Sequence, residues 1–313
     1  EVGALDMGTV PDFLPGRRPF YNQKDRKYWE KLWDVKLSPD PGLNLVRMIE
    51  EAEKGNLKAL YIMGENPLLS LPQPERIRNA LKSLELLVVQ DILTTETTHP
   101  AHVVLAGAAF SEKAGTFTNM EGRVQSFEPV VSPPGDARPD WEILDLLSRR
   151  MSHADGYSSI QKVRAEISRR IPMYSELGKS GDESWIREMS NLRLFHPDEE
   201  GKSISFSPVI SVDNEVFDKA YPFTAILGSL RCHLGSGTRT RLSDRIKDFG
   251  LKGEVEISSE DGTRLNLKVG DKVKISSPDG YIERDITLKK ALTPDRAVNT
   301  MAINNNEERK LMG

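Results

Sequence analysis

The chain has 313 residues, enough for about two domains that each bury a hydrophobic core. Hydrophobic residues make up 38% and charged residues 29% of the sequence, and the net charge is −4, so composition gives no electrostatic argument for binding nucleic acid or an anionic membrane. The single cysteine, Cys232, excludes an internal disulfide and any iron–sulfur cluster held by cysteines of this chain alone.

No apolar run approaches the length of a membrane span and no cleavable leader is recognisable, so we expect no membrane insertion and a cytoplasmic location. The chain begins with Glu1 rather than Met. We therefore expect it to be a piece of a longer polypeptide.

The first third of the chain is predicted to contain an arm followed by two helices. Glu1–Pro19 is interrupted by many Gly and Pro residues, so we expect an extended arm whose apolar residues pack against the rest of the protein. Tyr21–Trp33 carries aromatic residues among charges and predicts a short amphipathic helix. Gly42–Lys54 has apolar residues at helical spacing and is predicted to end at Gly55.

A strand–helix–strand unit follows. Leu57–Met63 and Leu86–Val89 are apolar runs that predict buried strands, and Pro74–Ser83 between them predicts a helix. A crossover of this kind joins parallel strands, so the carboxyl ends of both strands lie at one edge of the sheet. Gly64–Asn66 and Gln90–Asp91 follow these strands, which indicates a candidate ligand site.

A third predicted strand, Val103–Leu105, precedes a long polar loop, Ser111–Gln125. The loop contains two glycines and many hydrogen-bonding side chains, among them Lys113. It could bind a large polar anion, or it could be an ordinary surface loop; the residues alone leave both open.

A proline-rich connector, Pro129–Asp140, leads into an amphipathic helix predicted over Trp141–Met151. Asp140 could face a ligand, but the residues alone favour the N-cap of this helix, a position for which Asp is well suited.

The last third of the chain changes character. Short apolar segments with turns between them predict the strands of a small β-barrel, namely Ile204–Phe206, Val209–Val212, Phe223–Leu227, Glu254–Ile257, Lys272–Ile275 and Ile282–Leu288. This change places the domain boundary near residues 200–220. Turns are expected at Asp261–Gly270 and at Asp279–Gly280. Within this region Gly228–Arg241 is rich in Gly, Thr and Arg; it could bind phosphate through backbone N–H groups and arginines, or it could be a solvated basic loop.

The sequence contains no set of residues that can be recognised as catalytic from its spacing alone. The five histidines lack the HExxH spacing of zinc proteases, and the GxSxG and GxxxxGK[ST] motifs are absent. Cys232 lies between Arg231 and His233, but a thiol beside a histidine in sequence does not define a catalytic pair. The residues alone therefore predict two domains, each with one polar Gly-rich loop, and a ligand bound by both.

Several segments resemble the molybdopterin oxidoreductase family in order and spacing. They include GALDMGTVPDFLPG, GENP, VVQDILTTETTHPAHVVL, SEKAGTFTNMEGRVQ, PPGDARPDWEIL and GSLRCHLGSGTRTRLS. The resemblance covers nearly the whole chain. It is greatest to the formate dehydrogenase catalytic subunit and to the large iron–sulfur subunit of the NADH–quinone oxidoreductase.

The resemblance implies an α/β Rossmann-like domain over residues 1–200, including the arm, followed by a C-terminal double-psi β-barrel domain over residues 201–313. It implies a pair of molybdopterin guanine dinucleotides carrying molybdenum or tungsten. The positions that match cofactor-contacting positions of the family are Gly64, Asn66, Gln90, Asp91, Lys113, Asp140, Gly228, Ser229, His233, Gly235 and Thr238.

The departures from the family also matter. The family's metal-ligating Cys or selenocysteine, its iron–sulfur cysteines and its metal-side Arg all precede the matched region, so the resemblance implies no catalytic or metal-binding residue in this chain. Ala106 replaces the Pro that usually follows the VVL strand. The expected partners are an N-terminal iron–sulfur and catalytic segment or subunit, together with electron-transfer subunits.

The two branches of the family imply different functions. A formate dehydrogenase oxidises formate to carbon dioxide with transfer of two electrons. In the quinone-reductase subunit the same fold has a largely structural role. The resemblance favours an oxidoreductase of the formate dehydrogenase kind, with the structural role as the alternative.

Overall fold

The computed structural model describes residues 2–152, 156–177, 183–185, 220–228, 237–246, 254–278 and 280–300. The chain divides into two compact units, neither of which is continuous in sequence. The first comprises Glu1–Glu51, Gln90–Ile92 and Leu105–Phe206, and the second comprises Ala52–Val89, Leu93–Val104 and Ser207–Gly313. No helix in the described ranges combines the length and apolar character needed to cross a bilayer.

The N-terminal segment is not the extended arm that the sequence predicts. It begins with helix α1 (Val2–Asp6), and a short hairpin follows, in which β1 (Phe13–Leu14) pairs antiparallel with β2 (Arg18–Pro19). Its apolar residues do pack against the core, as expected: Leu14 is buried.

Two helices follow, close to their predicted positions. Helix α2 (Gln23–Trp33) begins after Asn22, whose side-chain oxygen accepts hydrogen bonds from the backbone N–H groups of Lys24 (3.0 Å) and Asp25 (3.2 Å). Helix α3 spans Leu45–Glu53. Both helical predictions are confirmed.

The predicted strand–helix–strand unit is present. Strand β3 (Ala59–Met63) is followed by two helices that each begin with proline, α4 (Pro67–Ser70) and α5 (Pro74–Lys82). Strands β4 (Leu86–Asp91) and β5 (Val103–Ala106) follow, and the sheet order is β3-β4-β5.

Backbone hydrogen bonds show that these three strands run parallel. Lys58, just before β3, accepts from the N–H groups of Glu85 (2.8 Å) and Leu86 (3.1 Å), so β3 and β4 start side by side. Strand β5 lies beside the start of β4 through His102 N–H to the Leu87 carbonyl (2.9 Å), and beside its end through Gly107 N–H to the Asp91 carbonyl (3.0 Å). The carboxyl ends of β4 and β5 therefore meet at one edge.

The predicted polar loop is largely a β-hairpin. Strands β6 (Gly115–Thr118) and β7 (Arg123–Phe127) pair antiparallel, and β7 also pairs with β8 (Glu183–Trp185). The Asn119 side-chain oxygen holds the turn by accepting from the N–H groups of Glu121 and Arg123, both at 2.9 Å. The first unit continues with helix α6 (Asp140–Ser152) and helix α7 (Ile160–Arg170).

The core of the first unit encloses a buried carboxylate. Asp6 at the end of α1 is fully buried and forms an ion pair with Arg17. The Tyr174 hydroxyl donates to the Asp6 carboxylate at 2.7 Å and lies 2.9 Å from the Thr118 hydroxyl. Burial raises the pKa of the Tyr174 phenol well above its ordinary value, and the neighbouring Asp6 carboxylate raises it further. This network links α1, the β1–β2 turn, β6 and the segment after α7.

The second unit contains a five-stranded mixed sheet in the order β11-β12-β10-β13-β9. Its elements are β9 (Thr224–Gly228), β10 (Glu254–Ser258), α8 (Ser259–Arg264), β11 (Lys272–Ser277), β12 (Gly280–Lys289) and β13 (Arg296–Thr300). Strand β10 runs parallel to β12 and antiparallel to β13, which runs parallel to β9. The sheet is built around a core of Val255, Ile257, Ile286 and Ala297.

Four of the predicted short strands are confirmed in this region, near residues 223–227, 254–257, 272–275 and 282–288. Part of the predicted turn Asp261–Gly270 is instead helical, because Ser258 caps α8 by accepting from Asp261 N–H at 2.9 Å. The strands predicted at Ile204–Phe206 and Val209–Val212 lie outside the described residues.

Candidate functional site

Three polar side chains from distant segments meet at the carboxyl end of β4. We call Gln90, Lys113 and Asp140 the β4-end cluster. Gln90 is only 1% exposed, and its amide nitrogen donates to Asp140 Oδ1 at 2.6 Å. The Lys113 ammonium forms an ion pair with Asp140 Oδ2. One carboxylate thus receives a neutral donor on one oxygen and a cation on the other.

Asp140 is held at this position by backbone pairing after β5. The Arg138 N–H donates to the Ala106 carbonyl (3.1 Å), and the Ala108 N–H donates to the Arg138 carbonyl (2.8 Å). Gly107 lies between them, and a Cβ on it would approach Asp140 Oδ1 to 3.2 Å. The absence of a side chain at residue 107 therefore allows the Asp140 carboxylate to lie close to the end of the strands.

Asp140 does not act as the helix cap that the sequence favours. It is the first residue of α6, and the first backbone bonds of this helix, from Glu142 and Ile143, go to the Pro139 carbonyl. The Asp140 side chain instead accepts from Gln90 and Lys113. The interpretation of Asp140 as a cap was therefore wrong.

The β4-end cluster is partly open to solvent. The side chains of Lys113 and Asp140 are 19% and 35% exposed, whereas Gln90 is enclosed. Asp91, the last residue of β4, accepts from the Ile92 N–H through Oδ1 at 2.7 Å. Lys113 and Asp140 are therefore the members that a ligand can reach, and Gln90 positions the Asp140 carboxylate.

A second polar group lies after β3, and we call Asn66, Glu96 and Thr97 the β3-end cluster. The Asn66 amide nitrogen donates to Glu96 at 2.8 Å, and its oxygen accepts from the Thr97 hydroxyl at 2.6 Å. Thr97 is fully buried and also accepts from the Leu68 N–H at 3.3 Å. The Asn66 amide is thus fixed in one orientation by its neighbours.

Gly64 turns the chain between β3 and this cluster. Its φ of +66° favours glycine, and nothing lies within 4 Å of the position a Cβ would occupy. The backbone at the carboxyl end of β3 is therefore open on that side.

The sequence reasoning missed Glu96, Thr97 and the contribution of Gly107. The signal for the first two was present in the run TTETTHP, since a loop of hydrogen-bonding side chains directly after a strand end commonly fixes local polar groups. The close approach of Gly107 to Asp140 depends on pairing between residues far apart in sequence and left no local signal.

The predicted positions in the C-terminal loop are only partly described. Gly228 ends β9 in register with Thr300 of β13, and Thr238 lies in a turn. Ser229, His233 and Gly235 lie outside the described residues, as does Cys232. Within the described ranges no group of three or more His, Cys, Asp or Glu residues could hold a metal ion.

Comparisons with known proteins agree with the resemblance seen in the motifs. Residues 1–150 match the family model described as molybdopterin oxidoreductase. The F420-dependent formate dehydrogenase subunit alpha of Methanocaldococcus jannaschii is 36% identical in an alignment of 306 residues that covers 94% of this chain and 44% of that protein. The NADPH-Fe(3+) oxidoreductase subunit alpha of Geobacter sulfurreducens is 36% identical over 93% of this chain and 32% of its own length.

A third relative comes from the other branch. An NADH-quinone oxidoreductase subunit of Rhizobium meliloti is 29% identical over 93% of this chain and 33% of its own length. The chain thus spans less than half the length of each of these relatives.

A solved structure has a similar fold. The acetylene hydratase of Pelobacter acetylenicus matches 88% of this chain and 42% of its own with a TM-score of 0.56, at 16% sequence identity. The motifs, the family model over residues 1–150 and the relatives over nearly the whole chain agree in their similarity to the molybdopterin oxidoreductase family.

Proposed function

We propose that this chain is the C-terminal cofactor-binding portion of a formate dehydrogenase-type oxidoreductase. In this proposal, residues 1–200 form the Rossmann-like domain and residues 201–313 form the double-psi β-barrel. Together they bind a pair of molybdopterin guanine dinucleotides with molybdenum or tungsten. The metal ligand and the iron–sulfur clusters are supplied by polypeptide that precedes the matched region or by a partner subunit.

The observation that carries this proposal is the β4-end cluster. A carboxylate such as that of Asp140 accepts hydrogen bonds from the N–H groups of a guanine base, and an ammonium such as that of Lys113 pairs with phosphate. Both side chains are partly exposed, and they lie where open α/β sheets bind ligands, beyond the carboxyl ends of the strands. The residues present therefore fit a guanine dinucleotide.

The polar residues at the strand ends have two different roles in this proposal. Lys113, Asp140 and Asp91 contact the cofactor directly. Gln90 and Asn66 are positioning residues, because each is buried and its amide is engaged by a neighbouring side chain. Gly64 contributes open backbone, since the missing side chain lets a ligand approach the chain after β3.

The remaining proposed contacts rest on the family resemblance of the C-terminal loop. Gly228, Ser229, His233, Gly235 and Thr238 match the barrel loop that lies along the pterin and phosphates in the family. When bound, the cofactor supplies the redox chemistry by which formate is oxidised to carbon dioxide with transfer of two electrons. This chain contributes binding and orientation of the dinucleotides, and the electrons pass to partner subunits.

The formate dehydrogenase assignment is supported by identity with relatives. The Methanocaldococcus jannaschii formate dehydrogenase alpha subunit is 36% identical, against 29% for the Rhizobium meliloti quinone-oxidoreductase subunit. The alternative is a structural molybdopterin-type portion of a quinone-reductase large subunit, where no substrate reacts at this fold. This alternative is supported by the Rhizobium meliloti subunit, which is 29% identical over 93% of this chain.

Cofactor content of the complex purified through this chain tests the proposal. Molybdenum and tungsten are measured by elemental analysis, and pterin by fluorescence after oxidation. We expect a ratio of pterin to metal near that of a cofactor with paired pterins. We also expect formate-dependent reduction of an electron acceptor. Iron without pterin, molybdenum or tungsten would instead support the structural role.

Two substitutions test the site itself. Lys113→Ala and Asp91→Ala are expected to lower pterin retention in the assembled protein, since each removes a group proposed to contact the dinucleotide. The matched control is Lys58→Ala, at a lysine paired with Glu85 near the opposite end of the sheet. Unchanged pterin content in both site variants would contradict the assignment.

A further inference from the structure

Helix α2 is fixed to the first unit by one of its sides. Arg26 and Trp29 on this side are buried, and Trp29 belongs to the core. The Arg26 guanidinium lies 4.6 Å from the centre of the Phe20 ring and donates to the Ser38 carbonyl at 2.7 Å. These contacts fix the rotation of the helix, so its opposite side faces outward.

The outward side of α2 carries three lysines around a tyrosine. All four residues are exposed, and they are separated by one, three, four or seven positions: Lys24, Lys27, Tyr28 and Lys31. Residues three and four apart are neighbours on a helix surface, so these side chains form one patch, which we call the lysine face. The Tyr28 ring packs edge-on against Trp29 with centroids 5.2 Å apart, so the core supports the centre of the lysine face.

The charges of the lysine face are not balanced within the chain. Among the residues that the structure describes, none of its three lysines pairs with a carboxylate. Glu30 of the same helix pairs instead with the inward Arg26, at 3.8 Å. On α6, by contrast, Arg149 pairs with Asp145 at 2.8 Å. Like charges three and four residues apart repel each other, so the lysine face concentrates unfavourable contacts on a chain whose net charge is −4.

We propose that the lysine face binds an acidic surface of a separate protein subunit, with Tyr28 at the centre of the contact. Carboxylates of a partner would balance the three ammonium groups, and charge complementarity of this kind selects and steers a protein partner. Tyrosine is enriched in the cores of protein interfaces. The inference rests on helix geometry and charge, and it does not depend on whether the cofactor is bound.

Other anionic partners fit the lysine face less well. A nucleic acid would be repelled by the overall negative charge of the chain. A helix that lies on a membrane inserts its apolar side into the lipid, but the apolar side of α2 packs in the protein core through Trp29. An acidic protein surface is compatible with both observations.

Zero-length carbodiimide cross-linking of the complete protein, purified in its assembled state through this chain, tests the contact. The reagent joins a lysine amine directly to a carboxylate, so mass spectrometry of the linked peptides identifies the acidic segment. We expect links from Lys24, Lys27 or Lys31 to Asp or Glu residues of a different polypeptide. Lys82, an exposed lysine at the end of α5, is the control and should give no link to that polypeptide. Links only within the same polypeptide, or none from the lysine face, overturn the proposal.

Removing the three charges tests whether they drive association. With Lys24→Gln, Lys27→Gln and Lys31→Gln combined, the affinity for the cross-linked subunit at low salt should fall by about tenfold or more and should depend less on salt. The unfolding temperature checks that the fold persists. A matched variant removes the same total charge at exposed lysines outside α2 and should keep its affinity: Lys82→Gln, Lys162→Gln and Lys290→Gln.

Equal affinities of the two triple variants for the subunit would overturn the proposal. Binding to phosphatidylserine vesicles or to duplex DNA that is lost in the lysine-face variant, with unchanged affinity for the subunit, would also overturn it.

Discussion

The hydroxyl of Tyr174 is predicted to contribute strongly to the stability of the first unit. In Tyr174→Phe the ring and its packing are retained, while the hydrogen bond to Asp6 (2.7 Å) is lost. The fully buried Asp6 carboxylate then keeps its ion pair with Arg17 but loses one hydrogen-bond donor.

The expected cost is worked from that single contact. A hydrogen bond to a charged group contributes about 1.5–3 kcal/mol, so Tyr174→Phe should lower the free energy of unfolding by about 2 kcal/mol. The measurement is denaturant unfolding followed by tryptophan fluorescence, since Trp29 belongs to the same core as Tyr174. Tyr28→Phe, at a tyrosine exposed on α2, is the control and should change stability by less than about 0.5 kcal/mol.

The same contact predicts a pH dependence. The pKa of Tyr174 is raised in the folded state, so the unfolded chain loses this proton first as the pH increases. The contribution is complete below about pH 10, the ordinary pKa of tyrosine, and is lost as pH rises toward the folded-state pKa. The difference in unfolding free energy between wild type and Tyr174→Phe should therefore shrink above about pH 10. Parallel stability curves across that range, or equal stability of the two proteins at neutral pH, would refute the reasoning.

Three further predictions concern the candidate site. Asp140→Ala removes the acceptor of the buried Gln90 amide, so it should reduce pterin content and lower the free energy of unfolding by about 1–3 kcal/mol. Asp140→Asn keeps an acceptor and should retain more stability. Equal losses of stability in both variants would argue against Asp140 as the partner of Gln90. Thr97→Val removes the donor to Asn66 and should cost about 1–3 kcal/mol in thermal or denaturant unfolding, so an effect under about 0.5 kcal/mol would count against the β3-end cluster. Gly107→Ala should lower pterin retention while the fold persists, because the new methyl group approaches Asp140 Oδ1 to 3.2 Å; full retention would show that the carboxylate can shift without consequence.

The parallel unit was predictable because its signals are local. Leu57–Met63 and Leu86–Val89 are apolar runs of strand length, and prolines at the starts of α4 and α5 mark where helices begin. The rule that ligands lie beyond the carboxyl ends of parallel strands then directed attention to Gln90 and Asp91. These inferences required no knowledge of which distant segments meet.

The hairpin β6–β7 was missed because its polar composition concealed the alternation of a strand. Phe117 and Phe127 stack with ring centroids 4.6 Å apart, and Val124 enters the core. The other strand residues between the two rings are polar, namely Thr118, Arg123, Gln125 and Ser126. Polar residues on one face of an antiparallel strand are normal. Asn119 within this segment was the available turn signal, since its side chain holds the backbone of the turn.

The N-terminal segment was predicted wrongly for a different reason. Helix α1 has only five residues, too few to be stable alone, and it exists because tertiary contacts hold it. Its last residue, Asp6, pairs with Arg17 and Tyr174, and Tyr174 is 168 residues away in sequence. No local pattern contains that partner.

The same limit applies to the β4-end cluster, and it defines what sequence reasoning can contribute to a buried polar site. Gln90 at the end of an apolar strand must find a hydrogen-bond partner once it is buried, so the need for a partner follows from the sequence. The partner is Asp140, 50 residues away, one of 47 acidic residues in the chain. Selecting it requires the pairing of Arg138 with the backbone after β5, which only the folded chain provides. The local sequence instead favoured a helix cap, because Asp before a helix satisfies that local rule equally well. Local chemistry therefore identifies which residues need partners, and tertiary structure decides which partners they obtain.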